Sequence, residues 1–211
     1  TKIRADLYHK ECIIYKVSRG TEHKALLILD YFSRSSKRSG AWCSALQSQS
    51  NLDEKVSPIV LNVCNFAKPQ DGDPALLSYD DAKTLFHEFG HALHQILSNV
   101  TYDMISGTSV ARDFVELPSQ LFEHWLDIPE IMSKYARHCE TNEPIPAQLI
   151  QKLIEGKNYD VGFATTEYLA SAIVDLKLHS SDQVANAATT QRQILDEIGL
   201  NPAVKMRHNI F

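Results

Sequence analysis

His87, Glu88 and His91 stand as H-E-x-x-H inside an apolar, helix-like run from Thr84 to His94. Histidines four apart on a helix project from the same side, so both imidazoles can reach one metal ion. Glu88 is turned by about 100° from His87 around the axis and can face a water held at that metal. Two neutral nitrogen donors, an open coordination position and a carboxylate general base are the parts of a zinc hydrolase. The same pentapeptide also fits a helix whose histidines only face solvent, so the third ligand decides what the motif means.

His94 is the nearest candidate, and geometry removes it. It lies seven residues beyond His87, a helix rise of ~10.5 Å, which two metal–nitrogen bonds of ~2.1 Å cannot close. His94 is expected beside a ligand or in packing. A carboxylate from a second helix is the other solution. From spacing alone Asp113, Glu116 and Glu123 are equal candidates. Glu116 and Glu123 lie two turns apart on one face of the following helix, and Pro118 is tolerable only in its first turn. Each acid also reads as an ordinary charge near a helix N-terminus, where negative charge is favourable.

These residues need a scaffold, and the pattern along the chain predicts an α+β one. Cys12–Val17 and Ala25–Phe32 flank a turn-like Ser18–Thr21 as a hairpin does, and Ser39–Leu46 and Pro58–Phe66 are further strands. They are expected to form a small N-terminal antiparallel sheet. After a loop rich in Pro, Gly and Asp the periodicity becomes helical. Ser78-Tyr79-Asp80-Asp81 has the form of a capping box, which predicts a helix start there. Its expected buried stripe is Ala82, Leu85, Phe86, Phe89, Leu93, Ile96 and Leu97, with the histidines off it. Further helices are predicted over Val115–Leu126, Pro129–Glu140, Ala147–Glu155, Tyr159–His179 and Ser181–Ile198.

The totals exclude several classes of partner. The chain has 211 residues, 44% hydrophobic and 22% charged, with a formal charge of −5. That suits a globular protein and argues against nucleic acid as a partner. The one basic cluster, Ser33–Arg38, reads as a solvated loop. Cys12, Cys43, Cys64 and Cys139 are scattered without a C-x-x-C pair, as reduced thiols of an intracellular protein would be. No apolar run approaches the ~20 residues of a membrane helix and no signal-peptide pattern opens the chain. A cytoplasmic location without membrane contact is the expectation.

The run TLFHEFGHALH, followed by SGTSVARDFVELPSQLFEHW, resembles the thimet oligopeptidase family of zinc peptidases, best in its bacterial peptidyl-dipeptidase and oligopeptidase branch. The segments DYFSRSSKRSGAW and VLNVCNFAKPQDGDPALLSYDD resemble the same family's approach to the zinc helix. The resemblance implies one Zn2+ held by His87, His91 and Glu116, with Glu88 as general base and proton shuttle. Glu116 matches the acid of the family's F-V-E-x-P-S-Q motif. It also implies hydrolysis of peptide bonds in short oligopeptides, at the bottom of a channel between two helical lobes.

Family members continue into a Gly/Tyr-rich substrate-binding segment and carry a large helical N-terminal region, neither of which matches here. Residues 1–211 therefore read as a single catalytic-domain fragment, β-rich over 1–75 and helical over 76–211, with His208 as linker. The alternatives are a fragment that binds zinc but turns over little, or a non-enzymatic interaction domain. Self-association through apolar surface is a further expectation. Asp113 or Gln120 is expected to orient a ligand, and Ser106–Ser109 to line the substrate cleft. The stretch Ser39–Trp42 is expected to offer an edge to a peptide, and Trp125 to be a core aromatic.

Overall fold

A computed structural model describes residues 1–70, 72–183 and 186–206. His208 lies outside the described residues, as do 184 and 185 within the helix expected over Ser181–Ile198. The chain divides into two compact units, Thr1–Pro146 and Ala147–Phe211.

The first unit opens with a five-stranded sheet: β1 (Lys2–Ile3), β2 (Ile13–Arg19), β3 (Glu22–Phe32), β4 (Trp42–Gln47) and β5 (Ile59–Phe66). The β2–β3 hairpin and both later strands form where the alternating apolar residues predict, while β1 is too short to carry a periodic signal. The strand order is β1-β2-β3-β5-β4. The antiparallel expectation is corrected at one pairing. β3 and β5 run parallel, with Leu27 opposite Val60 and Leu29 opposite Asn62, while the other three pairings are antiparallel. The connection through β4 brings β5 back in the direction of β3, and β4 folds outward as the edge strand.

Helix α1 (Tyr79–Ile96) packs on this sheet and α2 (Leu117–Leu126) packs on α1. The predicted capping box is present: Asp81 N–H donates to Ser78 Oγ at 3.0 Å, and Ser78 N–H donates to Asp81 Oδ2 at 3.1 Å. The expected single stripe is corrected. α1 lies between two layers and is buried toward both, with Glu88, Ala92, Gln95 and Ile96 on the sheet side and Gly90 against α2. Ala25, Leu27, Val60, Ala92 and Ile96 make the core between sheet and helix. Phe89 packs against that core as expected, with its ring also 5.8 Å from that of Phe122, while Phe86 turns to α2, its ring 5.5 Å from that of Phe122. Leu97 is exposed. Helix α3 (Pro129–Tyr135) ends before the predicted Glu140, because the chain bends back to bridge Arg137 and Pro144.

The basic cluster is corrected too. The Lys37 side chain is 5% exposed, and its ammonium donates to the carbonyls of Asp30, Phe32 and Cys64 and to Asp30 Oδ1. Arg34 makes a two-pronged ion pair with Asp30 at 2.8 and 2.9 Å, and Tyr8 Oη donates to the same carboxylate at 2.8 Å. Ser33, Ser35, Ser36 and Arg38 are exposed, as in a solvated loop, but Arg34 and Lys37 turn inward and lock the C-terminal ends of β3 and β5. The second unit holds α4 (Ala147–Gly156), α5 (Val161–His179) and α6 (Ala187–Glu197), with Val174, Leu178 and Ile194 as its core. No described helix is long and apolar enough to cross a membrane.

Candidate metal centre

The centre is built where α1 and α2 cross, and Gly90 sets how closely they approach. A β-carbon at Gly90 would stand 2.6 Å from Ser119 Cα and 2.8 Å from the Pro118 carbonyl, so only glycine fits. Pro118 sits in the first turn of α2 and Glu116 is its N-cap. The close crossing therefore carries the Glu116 carboxylate over the two histidines of α1.

Glu116 Oε2 lies 3.2 Å from Nε2 of His87 and 3.2 Å from Nε2 of His91. The two rings stand nearly perpendicular, with centroids 4.9 Å apart. The three donor atoms all lie within 4.8 Å of one another. Two ligands about 2.1 Å from one tetrahedral ion are roughly 3.4 Å apart, so this triangle has the size of a metal site. Ser119 Oγ donates to Glu116 Oε2 at 2.8 Å and fixes that oxygen from the α2 side.

The protonation of the ligands follows from their neighbours. Nδ1 of His87 lies 2.6 Å from Glu123 Oε1. An ionised carboxylate only accepts, so Nδ1 carries the proton and the Nε2 lone pair points at the triangle. Burial alone would raise the Glu123 pKa, but hydrogen bonds from His87 and Lys83 hold it below the usual carboxylate value. Lys83 Nζ is 3.1 Å from Glu123 Oε2. Burial pushes the His91 pKa down against the pull of Glu116, which favours the neutral imidazole that ligates metals. Glu88, on the sheet side of α1, is 6% exposed and its Oε2 has no hydrogen-bond partner among the described residues. Its pKa is raised, chiefly by burial and further by Glu116, while His87 opposes the shift. A carboxylate so held is a better base than an exposed one.

His94 packs edge-on against Phe114, with centroids 6.1 Å apart, and is no part of the triangle. Asp113 and Gln120 are exposed, and the acid that lies against a ring nitrogen of His87 is Glu123. In the Ser106–Ser109 loop, Ser106 and Gly107 are buried and Ser109 is exposed, and Gly107 borders the apolar groove beside the centre. Gly107 N–H donates to Ser98 Oγ and Ser109 N–H to the Ser106 carbonyl, so neither is free for a substrate. Gly107 (φ 55°) also presses on Gln95, whose Cγ would lie 2.9 Å from a β-carbon there. Trp125 is 47% exposed and not core; with Leu93, Leu97 and Leu121 it lines an apolar groove of about 490 Å³ beside the centre. The sequence offered Glu123 only as a possible third ligand and did not single out Lys83, Ser119 or Gly90; the one local signal was spacing, with Lys83 four residues before His87.

A sequence profile described as Peptidase family M3 matches residues 1–207. The chain belongs to peptidase family M3. This M3 chain is 39% identical over 208 residues to the dipeptidyl carboxypeptidase of Salmonella typhimurium, a match covering 96% of the chain and 30% of that protein. It is 34% identical over 205 residues to oligopeptidase A of Escherichia coli, covering 94% of the chain and 30% of the relative. A thimet-like oligopeptidase of Dictyostelium discoideum is 34% identical over 207 residues, covering 94% and 31%. The chain thus spans about 30% of the length of these curated relatives. Membership establishes a peptidase lineage, and the His-His-Glu group supplies the metal-binding capacity that metallopeptidases of this family need.

Proposed function

We propose that the chain is the metal-binding part of the catalytic domain of a zinc oligopeptidase or dipeptidyl carboxypeptidase that cleaves short peptides. One observation carries the reading: Nε2 of His87 and of His91 converge at 3.2 Å on one oxygen of Glu116, with Glu88 enclosed beside them. Two imidazoles and one carboxylate suit a single Zn2+ with an open position. When bound, zinc polarises the scissile carbonyl and acidifies the attacking water.

This chain's own groups do the rest. His87 and His91 present neutral Nε2 atoms, Glu123 holds the tautomer of His87, and Ser119 holds Glu116. Glu88, with its raised proton affinity, takes the proton of the attacking water and delivers it to the leaving amine. Of the stretch Ser39–Trp42 only Trp42 lies in a strand, and the outer edge of β4 that starts there pairs with no strand among the described residues, which supports binding of an extended peptide by strand addition. The four free thiols, two of them buried or half-buried in the sheet, suit a reducing compartment such as the cytoplasm.

Zinc titration followed by a fluorogenic peptide assay tests this in two separable parts. Stoichiometric zinc uptake that is lost in His87→Ala supports the centre, and no uptake overturns it. Peptide turnover abolished by Glu88→Gln supports the role of the base. Zinc uptake without turnover would favour a zinc-binding part that needs more of the protein for catalysis.

A further inference from the structure

The α1-facing side of the sheet carries one residue out of keeping with its place. Asn62 sits in the middle of β5 and is 0% exposed, and neither Nδ2 nor Oδ1 has a partner among the described residues. It lies opposite Leu29 on β3 and opposite Cys43 on β4, and Leu29 and Cys43 both pack against the core that includes Ala92 and Ile96 of α1. Asn62 therefore faces the stripe of α1 that bears Glu88, Ala92 and Gln95. That stripe holds two more sealed, unpartnered oxygens, Glu88 Oε2 and Gln95 Oε1. The Gln95 amide reaches Cys43 Sγ at 3.5 Å, which puts it beside the residue paired with Asn62. The negative charge of Glu88 acts on the thiols of both Cys43 and Cys64, the strand neighbours that flank Asn62.

Buried donors and acceptors in folded proteins almost always pair, directly or through a retained water bonded to two to four polar groups. Here one donor amide and three acceptor oxygens share a single enclosed layer. We propose that Asn62 is a positioning residue for Glu88. Its amide, through an internal water shared with Gln95, donates to Glu88 Oε2 and aims the other carboxylate oxygen toward the His87–His91–Glu116 triangle. An apolar residue at this point of β5 would pack the core as well but leave Glu88 free to rotate. The inference rests on Glu88 being the base. It does not require turnover, so it can fail while the metal centre stands.

A double-mutant stability cycle tests it on the zinc-loaded chain. Asn62→Leu should lower the melting temperature in the wild-type background and leave it unchanged or raised in a Glu88→Leu background. Non-additivity of about 2 °C or more is expected for a coupled pair in a domain of this size. Additive shifts overturn the proposal, because two groups joined through one hydrogen-bonded water must couple. Should Asn62→Leu fail to fold, a high-resolution crystal structure of the wild-type zinc-loaded chain decides. A water bonded to both Asn62 and Glu88 supports the assignment, and a dry layer with Glu88 Oε2 unpartnered overturns it. Zinc affinity in Asn62→Ser should equal that of the wild type, which separates positioning of Glu88 from damage to the ligands.

Discussion

Gly90 on α1 and Ser119 on α2 touch backbone to backbone, and that contact sets the distance between the histidines and Glu116. Gly90→Ala should therefore do two things at once. Overpacking against Ser119 and the Pro118 carbonyl should cost about 1–3 kcal/mol, and the outward shift of α2 should weaken zinc binding. Thermal melts and zinc titration on one sample measure both. Unchanged affinity would show that the crossing does not set the ligand spacing.

Glu123 acts on the metal site through His87. Removing it frees Nδ1 and lets the ring rotate, so Glu123→Ala should lower zinc affinity by about 10–100-fold. Competition with a chromogenic chelator gives the number, and wild-type affinity would refute the role. His94→Ala, in contrast, should bind zinc as the wild type does.

Glu88 separates binding from chemistry. Glu88→Gln should keep zinc and lose peptide hydrolysis by about 10²–10⁴-fold. Parallel measurement of bound zinc and turnover, in whatever length of the protein is active, checks the split.

Asp30 should govern acid stability. Burial alone would raise its pKa, but Arg34, Tyr8 and Lys37 outweigh it and hold the carboxyl well below its ordinary range. A depressed folded pKa stabilises above the unfolded value of about 3.9 and loses that contribution as pH falls below it. Asp30→Asn should cost about 3–5 kcal/mol near neutral pH, since it strands Arg34 and the buried Lys37. The gap between variant and wild type should shrink toward pH 3, and melts across that range test it.

Leu97, Leu121 and Trp125 are exposed along one apolar groove of the α1–α2 pair, and Met104 is exposed as well. Self-association that grows with concentration is expected through this surface. Sedimentation velocity giving a monomer at all concentrations would dismiss it.

Local signals in the sequence were readable, and contacts between distant segments were not. The start of α1 was legible because the capping box is a four-residue device, and the two histidines because helical spacing is fixed. Which acid joins the two histidines was not readable from spacing, since Asp113, Glu116 and Glu123 differ only in where the Gly90 crossing puts them; the family likeness pointed to Glu116, whose Oε2 lies 3.2 Å from both rings. The parallel β3–β5 pair was hidden because alternation has the same period in either direction. Lys37 looked solvated because its buried partner, Asp30, lies in a strand seven residues earlier. The burial of Glu88 escaped a one-stripe reading because α1 is covered on two sides.

The position of β5 also implies an order of assembly. β5 takes its place beside β3 only after the chain has run through β4 and turned back, a non-local closure that forms slowly. The seat of Glu88 exists only once that closure is made, and α1 follows β5 directly in the chain. On the proposed zinc reading, ion capture at His87, His91 and Glu116 would thus be a late event that depends on a finished sheet. The free energy of holding the ion should then be shared with the sheet as well as with the two helices that grip it.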